Sequence, residues 1–485
     1  MSELRTNPRI IQGGMGVGVS SWRLAKAVAQ RGALGVVSGS MLDTVIVRRL
    51  QDGDPGGHVQ RAAAQFPMAS RAEEVLRRYY KPSGRRVGAP YVALPMYRRR
   101  VSVARDGVTI FANFVEVWLA KEGHAGEIGI NLLTKVQMPN LASLYGAMLA
   151  GVDYVIMGAG IPREIPGVLD AYVDHRAASL RFEIENAGGE AAASLTFDPR
   201  EHWASPTRAL ARPRFLAVVS AASLAANLLR KATGRVDGFI VEGPTAGGHN
   251  APPRGPLRLN ERGEPLYGDR DVVDLADMRA LGVPFWLAGG AGSPSRLADA
   301  LSAGAAGIQV GTLFAYADES GIAPEIKNRV LAAAAAGKAP VFTDPRASPT
   351  GYPFKIVDVP GAADALAART RVCDLGYLRV AFRRPDGRLE YRCAAEPVDA
   401  YVEKGGDAAA TVGRQCLCNG LTSTIGQAQL RTDGALEPPI VTSGDDLASL
   451  AGFLGGRKHY NAGDVLDYLV GVCGIPLHAS SGPRT

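Results

Sequence analysis

Cysteine and histidine are scarce in this chain: five and seven among 485 residues. The cysteines stand at 373, 393, 416, 418 and 473. An odd count at loose spacing does not form a disulfide framework. Cys416-Leu417-Cys418 has no second Cys or His pair nearby in sequence, so no metal is expected and the thiols read as buried and free. Long apolar runs are missing as well. None reaches ~18 residues, which argues against a membrane-spanning helix. The opening MSELRTNPRIIQGG has no apolar signal core, so the cytoplasm is the expected location. Compact charge is also rare. The net charge is +7, yet Arg98-Arg99-Arg100 is the one tight basic run, and no nucleic-acid module is recognisable.

Glycine, by contrast, is abundant. The 58 glycines exceed the usual share of about 7%. Many follow short Val/Ile/Leu runs, as tight turns at strand ends would. Eight such runs lie near positions 10, 34, 128, 153, 215, 238, 284 and 307. They lack strict alternation, as parallel strands buried on both faces do. Helical patterns between most of them supply the crossovers that parallel pairing needs. SSWRLAKAVAQRG, for example, starts at a serine cap and ends at Gly32. Eight units of this kind predict an α/β fold, a (β/α)8 TIM barrel.

The barrel domain is expected to span 1–345, with a helical insertion at about 41–85. Residues 346–485 form a C-terminal α+β extension packed on it. VGAPYVALPM at 87–96 competes as an extra strand. Residues 178–212 read as a decorated loop. In the extension, YLRVAFRRPDGRLEYRC alternates on both sides of Pro-Asp-Gly, a hairpin signal.

Barrel function sits at the C-terminal ends of the strands, where the glycine clusters fall. AGGAGSPS after the seventh strand and Gly311-Thr312 after the eighth form the recurrent phosphate site of barrels. Backbone N–H groups there approach an oxyanion closely, and the helix starting near Ser293 points its positive end at it. GGMGVG after the first strand does not fit G-x-G-x-x-G, and the second strand ends without an acidic residue. A Rossmann dinucleotide site is therefore unexpected. After the sixth strand comes EGPTAGGHNAPPRG. His249 overhangs the barrel mouth behind two glycines, and an imidazole titrating near neutrality suits a general base. His58 also follows two glycines, but lies in the insertion with no strand before it, and reads as structural.

Together QGGMG, EIGINLL, AGGH, AGGAG and GIQVGT, in this order over roughly residues 8–320, resemble the nitronate monooxygenase family, formerly called 2-nitropropane dioxygenases. The resemblance implies a TIM barrel that binds FMN without a covalent bond. It implies that Gly14, Met15 and Gly16 pack beside the flavin ring and that Asn131 hydrogen-bonds it. Gly289, Gly290 and Gly292, with Gly311 and Thr312, would hold the phosphate, with Gln309 nearby. Gly248 would let the loop close on the cofactor, and His249 would face the ring as the base. Met15, Phe285 and Trp286 are candidate apolar neighbours, and Phe285 and Trp286, which sit in a strand, could equally be core. The implied reaction is oxygen-dependent oxidation of alkyl nitronates to carbonyl compounds and nitrite.

Two features depart from the family pattern: Gly-Pro-Thr between Glu242 and AGGH, and the added length of insertion and extension. Two alternatives stand beside this reading. One is an FMN-dependent enoyl-thioester reductase drawing on NAD(P)H. The other is a flavin-binding accessory protein without turnover. The expected partners are a small-molecule substrate and oxygen, with no nucleic acid or membrane, and a homodimer is left open.

Overall fold

In a computed structural model, residues 7–186, 193–203, 206, 208–359 and 362–471 are described. All eight expected strands form: β1 (Ile10–Gln12), β2 (Gly35–Ser38), β3 (Ile128–Leu133), β4 (Tyr154–Gly158), β5 (Arg214–Val219), β6 (Gly238–Glu242), β7 (Phe285–Ala288) and β8 (Gly307–Val310). From β2 to β8 each strand pairs in parallel with the next, and β8 pairs with β1. The remaining seam is closed by backbone bonds. Gln12 N–H donates to the Leu34 carbonyl at 2.9 Å, and Leu34 N–H to the Ile10 carbonyl at 3.0 Å. The sheet is thus a closed TIM barrel.

The barrel interior is a separate apolar cluster that includes Ile11, Val36, Tyr154, Leu216, Ile240, Trp286 and Ala288. Trp286 belongs to that interior and donates its indole N–H to the Pro8 carbonyl at 2.7 Å. Phe285 faces the outer core. Neither lines the cavity described below, so both are core residues, not flavin neighbours.

The helices outside pack closely. Trp22–Gln30 is capped by Ser21, whose hydroxyl accepts from Leu24 N–H, and buries Leu24, Ala25, Val28 and Ala29. A Cβ on Gly35 would stand 1.9 Å from the Ala25 carbonyl oxygen, so this helix–strand contact requires glycine.

The insertion holds helices Leu42–Gln51, His58–Ala63 and Ala69–Tyr79, before the long buried helix Val103–Lys121. Residues 87–96 are not a strand. Their backbone is held by side chains instead: Tyr91 N–H donates to Gln429 Oε1 and Val92 N–H to Gln51 Oε1, both at 2.8 Å. Within the expected loop of 178–212, two described stretches are strands. Strands Ala178–Phe182 and Ala193–Phe197 pair antiparallel. The hairpin around Pro385-Asp386-Gly387 forms as expected, from Val380–Arg383 and Leu389–Arg392.

Val341–Asp344 and Phe354–Val357 pair antiparallel across position 345. One apolar core runs from the barrel helices through Cys418, Val441 and Leu447 to Leu469. No helix among the described residues is long and apolar enough to cross a membrane. Cys473 and His478 lie outside the described residues.

A buried ionic cluster ties insertion to extension. Asp43, on helix Leu42–Gln51, accepts from Arg105, from the Tyr97 hydroxyl at 2.7 Å, and from the Tyr377 hydroxyl. Asp43, Arg105, Tyr97 and Tyr377 are all nearly inaccessible to solvent. Burial alone would raise the Asp43 pKa, but Arg105 and the two phenols outweigh it and hold the carboxyl below its ordinary value.

Candidate active site

The C-terminal ends of the barrel strands open into a cavity of about 220 Å3. Two other clefts are larger, about 540 and 490 Å3, but neither reaches the glycine loops after β1, β7 and β8. Of the residues singled out from sequence, Gly14, Met15, Gly16, Asn131, Gly248, His249, Gly289, Gly290, Gln309, Gly311 and Thr312 line this one cavity. Gly292 does not. A Cβ there would meet Asp446 Oδ2 at 3.1 Å and Leu313 at 3.3 Å.

The β1 loop is held open by side chains behind it. Gly13 N–H donates to the Val310 carbonyl at 2.8 Å, and Met15 N–H to Ser20 Oγ at 2.9 Å. Asn131 Nδ2 donates to the Gly14 carbonyl at 3.2 Å, so one glycine loop and the end of β3 form a single wall.

The loop after β6 is wedged between two segments of the extension. Asn250 N–H donates to the Pro353 carbonyl and Lys355 N–H to the Gly248 carbonyl, both at 2.9 Å. Gly248 N–H donates to Thr442 Oγ1 at 2.9 Å. A Cβ on Gly247 would lie 2.7 Å from the Ser443 carbonyl carbon. Gly247 thus admits the backbone of the extension, a role that the sequence did not reveal, and Gly248 takes a left-handed φ of +78°. His249 is held in place by this arrangement. Its ring meets Phe354 edge-on at 4.9 Å, and Nε2 lies 2.7 Å from Ser348 Oγ. Its remaining accessible surface faces the cavity, and burial pushes its pKa down to about 4. The imidazole is neutral near pH 7, with one nitrogen already hydrogen-bonded.

Strand register brings out a residue that the sequence reading passed over. Glu242 pairs with Ala288, and Ala288 with Gln309. Paired residues on neighbouring strands point to the same side. Ala288 belongs to the barrel interior, so Glu242 and Gln309 flank it on the cavity floor. Gln309 Oε1 is buried without a hydrogen-bond partner. Glu242 is partly buried and lines the cavity. Desolvation pushes its pKa up to about 8, so the carboxyl stays protonated at neutral pH. The signal in the sequence was an acidic residue ending an otherwise apolar strand.

No lysine or arginine is among the residues that line the cavity. Thr312, expected at the phosphate, donates its hydroxyl to Asp446 of the extension and accepts from Gly444 N–H at 3.1 Å. Burial raises the Asp446 pKa. The far wall is apolar and comes from the extension: Phe354, Leu378, Leu417, Leu421 and Ile440.

Over residues 179–341 the chain matches the family model described as nitronate monooxygenase. That stretch contains β5 to β8 with the loops after β6 and β7, so the family resemblance read from the motifs holds there. No curated protein matches the chain. Among solved structures it is similar to FabK from Thermotoga maritima (15% identity, TM-score 0.47, covering 96% of this chain and 92% of that one). It is similar also to nitroalkane oxidase from Streptomyces ansochromogenes (15%, 0.44, 96% and 95%). A third is the enoyl reductase domain of MlnA from the macrolactin biosynthesis cluster of Bacillus amyloliquefaciens (12%, 0.47, 96% and 93%). Likenesses this distant carry no functional argument.

Proposed function

We propose that the chain is an FMN-dependent oxidoreductase, and that its substrate is an activated carbon–carbon double bond on an acyl thioester. The flavin part rests on the family match and on the fit of the cavity. Glycine loops after β1, β7 and β8 surround it, and Gln309 Oε1 is a buried acceptor awaiting a donor. When bound, FMN would supply hydride chemistry at its ring. Gly14 and Gly16 would lie against the ring, Asn131 and Gln309 would hydrogen-bond it, and the loops at Gly289–Gly290 and Gly311 would hold its phosphate.

One observation carries the choice of substrate: the apolar wall from Phe354, Leu378, Leu417, Leu421 and Ile440. It suits a substrate with an apolar tail, for which a small nitronate has no use. The polar groups agree. Glu242 holds a proton at neutral pH and would give it to the substrate carbon beside the carbonyl. The neutral His249, buttressed by Ser348, would donate a hydrogen bond to the thioester oxygen. Each is a group that stabilises the charge developing as hydride arrives.

Oxidation of nitronates is the second reading, supported by the family match. It fits preformed nitronates, which need no base, better than neutral nitroalkanes. Anaerobic stopped-flow reduction separates the two. We expect NADH or NADPH to bleach the bound flavin, and an enoyl thioester to restore its colour. Bleaching by a nitronate, with none by either nicotinamide, would reverse the assignment.

A further inference from the structure

Behind the apolar wall of the candidate active site lies a second cavity, of about 540 Å3. Among the described residues, Ile440 alone lines both. Its side chain is 1% exposed and belongs to a small apolar cluster with Ala347, Phe354 and Leu417. Phe354 and Leu417 line the active site. Ile356 and Leu366 pack against the same cluster and line the second cavity. The partition between the two spaces is therefore one side chain thick at Ile440.

That side chain has little freedom to move aside. Ile440 N–H donates to the Gly420 carbonyl at 3.0 Å, and its own carbonyl accepts from Thr424 Oγ1 at 2.7 Å. Both partners stand on helix Leu417–Thr424. A Cβ on Gly420 would lie 2.4 Å from Ile440 Cγ1 and Cδ1, so the isoleucine rests on bare helix backbone. A β-branched side chain is also stiff about its first torsion. The space behind it could receive a hydrocarbon at little electrostatic cost, because the arginines that line it are already engaged. Arg369 pairs with Glu437 at 2.6 Å, Arg371 donates to the Thr411 carbonyl at 2.8 Å, and Arg414 to the Arg346 carbonyl at 2.7 Å.

We propose that Ile440 sets the length of the acyl tail that this enzyme accepts. The inference rests on the thioester reading given above. With the thioester at Glu242 and His249, the tail would run along Leu417 and Leu421 and end against Ile440. Each methylene on the near side is buried among apolar side chains and should raise kcat/KM about fourfold. The first carbon to meet Ile440 should reverse the trend, because a well-packed core does not take in extra methylenes without strain.

The test is anaerobic reoxidation of the dithionite-reduced flavin by trans-2-enoyl coenzyme A thioesters, from crotonyl to hexadecenoyl, in wild type and Ile440→Ala. The second-order rate constant should pass through a maximum at an intermediate length in wild type. Ile440→Ala should join the two cavities and move that maximum to longer tails. Relative to the best wild-type substrate, the rate constant for tails just beyond it should rise about tenfold or more. Should the alanine variant fail to fold, Ile440→Val removes a single methyl group and should raise the same ratio about fourfold. Identical length profiles in wild type and variant would overturn the role of Ile440 and leave the thioester reading standing. So would a wild-type rate constant that climbs to hexadecenoyl without a maximum. Reoxidation by no thioester of the series would overturn that reading, and the length limit with it.

Discussion

Glu242→Gln is expected to abolish most turnover and, in the flavin-free protein, to remove an alkaline weakness of the fold. The carboxyl rises from an ordinary 4.5 to about 8 because it is desolvated beside Ala288 and Gln309 with no cation in the cavity. At about 1.36 kcal/mol for each tenfold change in acidity, that rise corresponds to about 5 kcal/mol. The sign follows from a folded-state pKa above the unfolded one. The contribution is fully present below about pH 4.5, is lost as pH rises, and is gone by about pH 8. Glutamine keeps the shape without the charge. The variant should match wild type in urea at pH 4 and exceed it at pH 9. Wild type and variant falling in parallel between those values would show that Glu242 is not the buried acid. If the carboxyl also supplies the proton, turnover should drop about 10²–10⁴-fold, with KM little changed. Full activity in the glutamine variant would remove Glu242 from the chemistry.

Asp43→Ala should cost about 3–5 kcal/mol of stability, a loss that arises outside the barrel. It would leave the Arg105 guanidinium buried without its carboxylate, and deprive the Tyr97 and Tyr377 hydroxyls of an acceptor. Removing one partner of a buried pair costs more than removing both. Asp43→Ala combined with Arg105→Met should therefore regain part of the loss in chemical denaturation. Tyr377 also lines the candidate active site, so the single variant should loosen that wall as well. A loss below about 1 kcal/mol, the range of exposed pairs, would show that the cluster is solvated and contributes little.

The barrel was legible because parallel strands leave a strong trace: eight continuous apolar runs, each ending in glycine or a small polar residue. Ile128–Leu133 and Gly238–Glu242 fell where they were expected. The glycine loops located the cavity for the same reason. Segment 87–96 misled because an extended chain held by Gln51 and Gln429 has the same residue preferences as a strand held by a ladder. Strands Ala178–Phe182 and Ala193–Phe197 were hidden in polar surroundings. Their alternation is plain in hindsight, with Ala178, Leu180 and Phe182 buried and Ser179 and Arg181 exposed. His249 lines the cavity at the mouth, but its contacts with Ser348 and Phe354 come from about a hundred residues away in sequence. The same holds for Asp446 at Thr312. Local pattern reports local structure; contacts made by the extension appear only after folding.

In the function proposed above, the glycine loops at the barrel mouth hold FMN. Gly290 has φ +61°, and a Cβ there would lie 3.3 Å from Thr245 Oγ1. Valine would be strained there and would crowd the expected phosphate position. The deciding measurement is the visible spectrum of the purified full chain, with the cofactor extracted and identified, for wild type and Gly290→Val side by side. The account predicts about one FMN per wild-type chain and almost none in a folded variant, since a single well-formed cavity takes one ligand. Colourless wild type after reconstitution with FMN, or equal flavin content in both proteins, would contradict it.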